Sequence, residues 1–259
     1  MIHNSRRLGQ HFLRCRWVVS TIIHAAELKS TDVVLEIGPG TGVLTRALAH
    51  HAGRVIAVEK DERLAAQLQN VLKGVGTKNV EIITGDILKL LKSDFRSYHK
   101  LVSNIPYYLT SRLLRLLLED GSRRPELIVL TIQKEVAQRI VAKPPHMNLL
   151  ALSVRAFGKP EIIKKVPASC FSPKPKIDSA IIKISDISDA FFQKNGLDKT
   201  QFFAILRRAF GNKRKILSKT LKLKLDQHRM LIRAAGVPEK ARPEELSLKQ
   251  WAEVAKIRG

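Results

Sequence analysis

Cysteine is almost missing from this chain: 259 residues contain two, Cys15 and Cys170. Two cysteines cannot build a disulfide framework or a four-thiolate zinc site, and neither belongs to a CxxC pair. The eight histidines include no HExxH, so no resident metal is expected. Two free thiols suit a reducing compartment, and Cys170, although next to Phe171, reads as a buried and inert thiol. Long apolar runs are missing too. None approaches the ~18 residues of a membrane-spanning helix, and MIHNSRRLGQHFL at the start lacks the apolar stretch of a signal peptide. A soluble, cytoplasmic protein with no membrane association is the expectation. Acidic residues are scarce: 23 Asp and Glu stand against 46 Lys and Arg, a formal net charge of +23. Such a field favours a polyanion, nucleic acid first and an anionic membrane second.

Apolar residues make up 44 %, enough for a sizeable core and too many for global disorder. No internal repeat or low-complexity tract is evident. Short β-branched runs over 32–37, 54–59, 80–84, 100–103 and 126–132 alternate with helix-length segments, of which 41–50 and the stretch after Asp61 carry apolar residues at helical spacing. Strands separated by helices imply βαβ units and a mostly parallel sheet in an α/β, Rossmann-like domain. Residues 161–166 and 179–184 read as two late strands joined by a proline-bearing loop. Near residue 187 the pattern turns wholly helical. The division expected is 1–187 for the α/β domain and 188–259 for a small all-α domain. Arg207 to Lys224 contains eight basic residues and no acid. Its cations Arg207, Arg208, Lys213, Arg214, Lys215 and Lys219 are candidates for phosphate contacts.

Between the first strand and its helix lies EIGPGTG, Glu36 to Gly42. Gly38 and Gly40 let the backbone turn sharply and approach a ligand. The register is GxGxG, not GxGxxG, which disfavours a dinucleotide and prefers an adenosyl ligand without phosphate. A dehydrogenase is set aside on that ground. Glu59 ends the second strand, where a carboxylate accepts from both ribose hydroxyls. Asp86 follows the third strand, where it can accept from an adenine amino group or simply cap a helix.

Asn104-Ile105-Pro106-Tyr107 follows the fourth strand at the same sheet edge. NIPY resembles the motif of S-adenosylmethionine methyltransferases that act on amino groups. An exocyclic adenine amine is a poor nucleophile because its lone pair is conjugated into the ring. Two acceptors on its N–H groups, the Asn104 side-chain oxygen and the Pro106 carbonyl, favour a tetrahedral nitrogen aimed at the methyl. Tyr107 offers a stacking face worth ~1–3 kcal/mol, comparable to the cost of unstacking a nucleotide. Catalysis is then mostly alignment and hydrogen-bond polarisation.

RRLGQHFL (6–13), FSPKPKIDSA (171–180), RRAFGNKRKILSKTL (207–221) and RPEELSLKQW (242–251) extend the resemblance over nearly the whole chain. Together they resemble the KsgA family of small-subunit ribosomal RNA adenine dimethyltransferases. The resemblance implies S-adenosylmethionine as donor, no metal, and N6,N6-dimethylation of two adjacent adenosines in the 3′-terminal hairpin of small-subunit rRNA. It also implies action on an immature subunit by a monomer. His11, Leu13, Gly38, Gly40, Glu59, Asp86 and Asn104 would line the cofactor, and Phe171 would cover the target base opposite Tyr107. Two positions depart from the family's usual pattern: His11 stands where Asn is frequent, and Tyr108 where Asn often follows the motif tyrosine. The erythromycin-resistance methyltransferases of large-subunit rRNA share NIPY and QxFL, and non-catalytic assembly or transcription factors share the fold. PKIDSA and the RPEELSL tail favour the small subunit, and the intact Glu59, Asp86 and NIPY set favours an enzyme.

Overall fold

A computed structural model describes residues 11–93, 95, 97–119, 124–211 and 215–258. The chain divides into two compact units, Met1–Ala137 with Lys159–Ile187, and Gln138–Gly158 with Ser188–Gly259. One of the cuts falls at 187/188. Residues 138–158 pack with the C-terminal helices instead of the sheet, which the pattern did not signal.

The first unit is built on a seven-stranded sheet. Its strands are β2 (Val33–Ile37), β3 (Arg54–Glu59), β4 (Val80–Thr84), β5 (Lys100–Asn104), β6 (Leu127–Gln133), β7 (Lys159–Val166) and β9 (Ser179–Ser185), in the order β4-β3-β2-β5-β6-β9-β7. The five consecutive strands from β4 to β6 are parallel, and β9 runs antiparallel to both β6 and β7. The central strands are apolar on both faces because helices cover both sides. Val34, Leu35, Ile56, Leu101 and Val129 are fully buried. β7 closes one edge and exposes Lys164 and Lys165, a charged edge of the kind that discourages pairing with another chain.

Helices α1 (Arg16–Ala26), α2 (Val43–His51), α3 (Glu62–Gly74), the single turn α4 (Ile87–Leu90), α5 (Thr110–Leu118) and α6 (Lys134–Ile140) follow the strands. Asp61 caps α3 as its place in the sequence suggests, accepting the N–H groups of Arg63 and Leu64. A buried charge ties α1 to the sheet: the Lys100 ammonium lies 2.9 Å from Asp32 and donates to the carbonyls of Ala26 and Glu27.

A short ribbon was not foreseen. β1 (Phe12–Leu13) pairs antiparallel with β8 (Phe171–Ser172), aligning Leu13 with Phe171. The expectation of two free thiols is corrected here: Cys15, just after β1, and Cys170, just before β8, form a disulfide. The ribbon brings together cysteines 155 residues apart, with Cα atoms separated by 5.1 Å. No local pattern could signal that meeting.

The second unit is helical: α7 (Leu149–Arg155), α8 (Ala190–Asn195), α9 (Lys199–Phe210), α10 (Leu217–Leu221), α11 (Leu225–Ala235) and α12 (Leu248–Arg258). Its core is aromatic. Phe157, Phe192, Phe202 and Phe203 stack and tilt against one another at ring separations of 5.1–5.9 Å, and buried Trp251 meets Phe210. No helix among the described residues is long and apolar enough to cross a membrane.

Candidate active site

The sheet opens where its strand order reverses. β2 and β5 are in register only at Val34–Lys100 and Leu35–Leu101. Beyond these pairs the buried Ser103 hydroxyl bridges the strands, donating to the Ile37 carbonyl at 2.5 Å and accepting the Ile37 N–H at 3.3 Å. The chains leaving β2 and β5 can therefore part, which is the geometry that places ligands at the carboxyl ends of strands in open α/β sheets. A cleft lies there, and a second lobe adjoins it. Gly38, Glu59, Lys60, Pro106 and Tyr108 line both lobes.

The glycine turn forms one wall. Gly40 has φ +55°, and a Cβ there would sit 2.7 Å from the Phe12 ring, so glycine is needed both for the backbone conformation and for the approach of β1. The Gly40 N–H donates to Glu59 Oε2 at 3.1 Å, and the Asp61 N–H donates to Oε1 at 3.0 Å. Glu59 is buried at the end of β3. Burial pushes its carboxyl up, against the pull of those backbone donors. Each oxygen keeps a lone pair for a ligand hydroxyl.

Asp86 fills one of the two roles that its position allowed, the helix cap, and lines the second lobe. It caps α4 through Oδ1, which accepts the Leu88 N–H at 3.0 Å. Its Oδ2 accepts from the Lys60 ammonium at 2.9 Å. Lys60 is the main reason its carboxyl is held below the usual aspartate range.

Sequence reasoning passed over Glu36, the acid that opens EIGPGTG. It lines the cleft, is 2 % exposed, and its Oε2 has no hydrogen-bond partner among the described residues. Burial pushes its carboxyl up to about 8; the Thr45 hydroxyl beside it acts the other way, and the charge of Glu59 adds to the rise. The signal was available: an acid in the last turn of a buried strand, just ahead of a glycine loop, has few places to point except the cleft.

NIPY closes the far side. Asn104 Nδ2 donates to the His11 carbonyl at 3.1 Å. That bond fixes the amide, because only the nitrogen side can face a carbonyl, and it leaves Oδ1 on the other side. The Pro106 carbonyl accepts the Leu109 N–H at 3.0 Å and retains its second lone pair. The Tyr107 hydroxyl shares a 2.7 Å hydrogen bond with buried Ser179, and burial makes it a weaker acid than an ordinary phenol. The ring is thereby held as a fixed wall.

The N-terminal segment crosses this wall. His11 stacks on Tyr107 with centroids 5.6 Å apart and its Nδ1 lies 2.7 Å from the Pro173 carbonyl, while Leu13 lines the same cleft. Phe171 is not among the cleft-lining residues. It is 3 % exposed and packs in the core with Leu13 and Val18, so the ring opposite Tyr107 is the imidazole of His11. His11, Leu13, Gly38, Gly40, Glu59, Asn104, Pro106 and Tyr107 thus meet at one cleft, with Asp86 in its adjoining lobe and Phe171 behind it.

Of the basic positions singled out in the helical unit, Arg207 and Arg208 are exposed in the last turn of α9, and Lys215 and Lys219 are exposed nearby. Lys213 and Arg214 lie outside the described residues, as do Arg6 to Gln10 of the RRLGQHFL segment. Among the described residues no group of three or more His, Cys, Asp or Glu could hold a metal ion.

An acid-lined crevice at a strand-order reversal, with a GxGxG turn and NIPY facing it, belongs to the Rossmann-like class I methyltransferases. Solved structures agree. A dimethyladenosine transferase from Plasmodium falciparum superposes with a TM-score of 0.78 at 27 % identity, over 94 % of this chain and 96 % of its own. The 23S rRNA methyltransferase ErmE also superposes at 0.78 and 27 % identity, over 95 % and 98 %. The sequence matches the ribosomal RNA adenine dimethylase family over residues 1–258, and the chain belongs to that family. Among curated relatives, the Ribosomal RNA small subunit methyltransferase A of Dehalococcoides mccartyi is 42 % identical over 94 % of this chain and 84 % of its own length. That of Clostridium acetobutylicum is 36 % identical over 97 % and 92 %.

Proposed function

We propose that the protein is an S-adenosylmethionine-dependent dimethyltransferase of small-subunit rRNA. It acts on N6 of two adjacent adenosines in the 3′-terminal hairpin while the subunit is being assembled. The observation that carries this reading is the held amide of Asn104. Its nitrogen is committed to the His11 carbonyl, so its oxygen is the group available to an incoming amine beside Pro106 and Tyr107.

The cleft suits the donor. S-adenosylmethionine, when bound, supplies a methyl group on a cationic sulfonium. Glu36, which lines the cleft with its Oε2 unpartnered among the described residues, offers a buried acceptor, Glu59 offers acceptors to ribose hydroxyls, and Asp86 offers one to the adenine amine. On the acceptor side, Asn104 Oδ1 and the Pro106 carbonyl take the two N–H groups of the target amine, and the lone pair turns toward the methyl. Tyr107 supports the extruded base once His11 gives way from its face. No strong general base is needed, because the product ammonium sheds its proton to water. The exposed cations of α9 and α10 would hold phosphates and set register, while the shape of the folded RNA selects the site.

Incubating undermethylated small subunits with the protein and donor, then analysing the rRNA by mass spectrometry, tests the reading. Two dimethyladenosines near the 3′ end are expected. The likeness to ErmE sustains one alternative, a dimethyladenosine in large-subunit RNA, and the same experiment on large subunits would reveal it.

A further inference from the structure

One pairing in the second lobe is explained neither by the glycine turn nor by NIPY. Lys60 directly follows Glu59, and its ammonium lies 2.9 Å from Asp86 Oδ2 although the lysine side chain is 53 % exposed. An exposed ion pair of this kind contributes little to folding. It does fix a direction. Asp86 Oδ1 is bound to the Leu88 N–H and Oδ2 to Lys60, so each carboxylate oxygen has a partner and one orientation of the carboxylate plane is favoured. Both partners line the same lobe.

We propose that Lys60 is a positioning residue for base recognition: by holding Asp86 as an oriented acceptor, it makes the cleft read the exocyclic amine of the donor's adenine. The inference rests on the donor assignment made above. An ionised carboxylate has about four lone-pair sites, and Leu88 and Lys60 use one on each oxygen. A further N–H can therefore bind without evicting Lys60, and the lysine orients the acceptor instead of competing for it. Without Lys60, Asp86 keeps only its Leu88 bond, and Oδ2 is free to swing toward water. Tyr108 lines the lobe as well and is 59 % exposed. Its ring can offer an apolar wall that is blind to the amine.

The test measures binding of two ligands by calorimetry: S-adenosylhomocysteine, and its analogue carrying hydrogen in place of the amine on the purine. The inosine analogue is avoided because its carbonyl would accept from Lys60. For the unaltered protein the amine should be worth about 10- to 100-fold in affinity, the range of a hydrogen bond to a charged group. In Lys60→Met the preference should fall at least about threefold, because Asp86 stays charged but loses its fixed direction, whereas Lys60→Arg should keep it. Tyr108→Ala should weaken both ligands together and leave the preference intact. A Lys60→Met protein that retains or widens the preference overturns the proposal, as does a preference that collapses with Tyr108→Ala instead. If the unaltered protein binds neither ligand, the donor assignment itself fails.

Discussion

Removing the Cys15–Cys170 disulfide should lower stability without dismantling the cleft. The bridge closes a loop of 155 residues. In the chain-entropy account, a loop of that length restricts the unfolded chain by about 5 kcal/mol, while measured disulfides more often contribute ~2–4 kcal/mol. The native ribbon does not depend on the bridge alone. The Arg14 N–H donates to the Cys170 carbonyl at 2.9 Å, His11 meets the Pro173 carbonyl, and Leu13 and Phe171 are buried together in the core. Those contacts survive reduction. A loss of 2–5 kcal/mol corresponds to a fall of about 5–15 °C in melting temperature for a chain of this size. The assay compares thermal unfolding of the oxidised protein, the protein in excess dithiothreitol, and the double variant Cys15→Ser/Cys170→Ser. The last two should melt together and below the first, and dithiothreitol should not move the double variant. Donor binding at 25 °C should change little in all three. The reasoning is refuted if two thiols titrate in protein unfolded without reductant, or if oxidised and reduced forms melt alike.

Three further outcomes follow from the site and its supports. Asn104→Ala should reduce methyl transfer by at least about 100-fold, the scale of losing one aligned polar group in a reacting centre, while RNA retention on a filter stays near normal; parallel loss of both would remove Asn104 from its assigned role. Lys100→Met leaves Asp32 buried without its cation and two carbonyls without their donor, so denaturant unfolding should show a loss of about 3–5 kcal/mol. Glu36 takes up a proton more readily when folded than when unfolded. Its contribution is therefore complete below the ordinary glutamate value and is lost as pH rises through about 8. Glu36→Gln, which mimics the protonated form, should flatten the decline of the urea midpoint between pH 6 and 9, and parallel profiles for variant and parent would contradict this.

The parts of the fold legible in the sequence are those set by local pattern. β3 and β4 occupy the residues their β-branched runs marked, α3 begins at the cap Asp61 provides, and Glu59, Asp86 and Asn104 come to the same sheet edge because parallel strands share a direction. What stayed hidden depends on distant segments meeting. Two-residue strands such as β1 and β8 carry no periodicity of their own; each exists because the other is there. The disulfide follows from that pairing, and so does the burial of Phe171, whose motif suggested a place at the base pocket while its register opposite Leu13 turns it into the core. The same crossing explains why His11 lies on the Tyr107 ring: Pro173 anchors its imidazole and Asn104 anchors its carbonyl. One backbone carbonyl therefore links the order of the N-terminal segment to the orientation of the amide that faces the amine. An enzyme built this way can align its acceptor only while that segment is in place, so the ribbon belongs to the chemistry as much as to the fold.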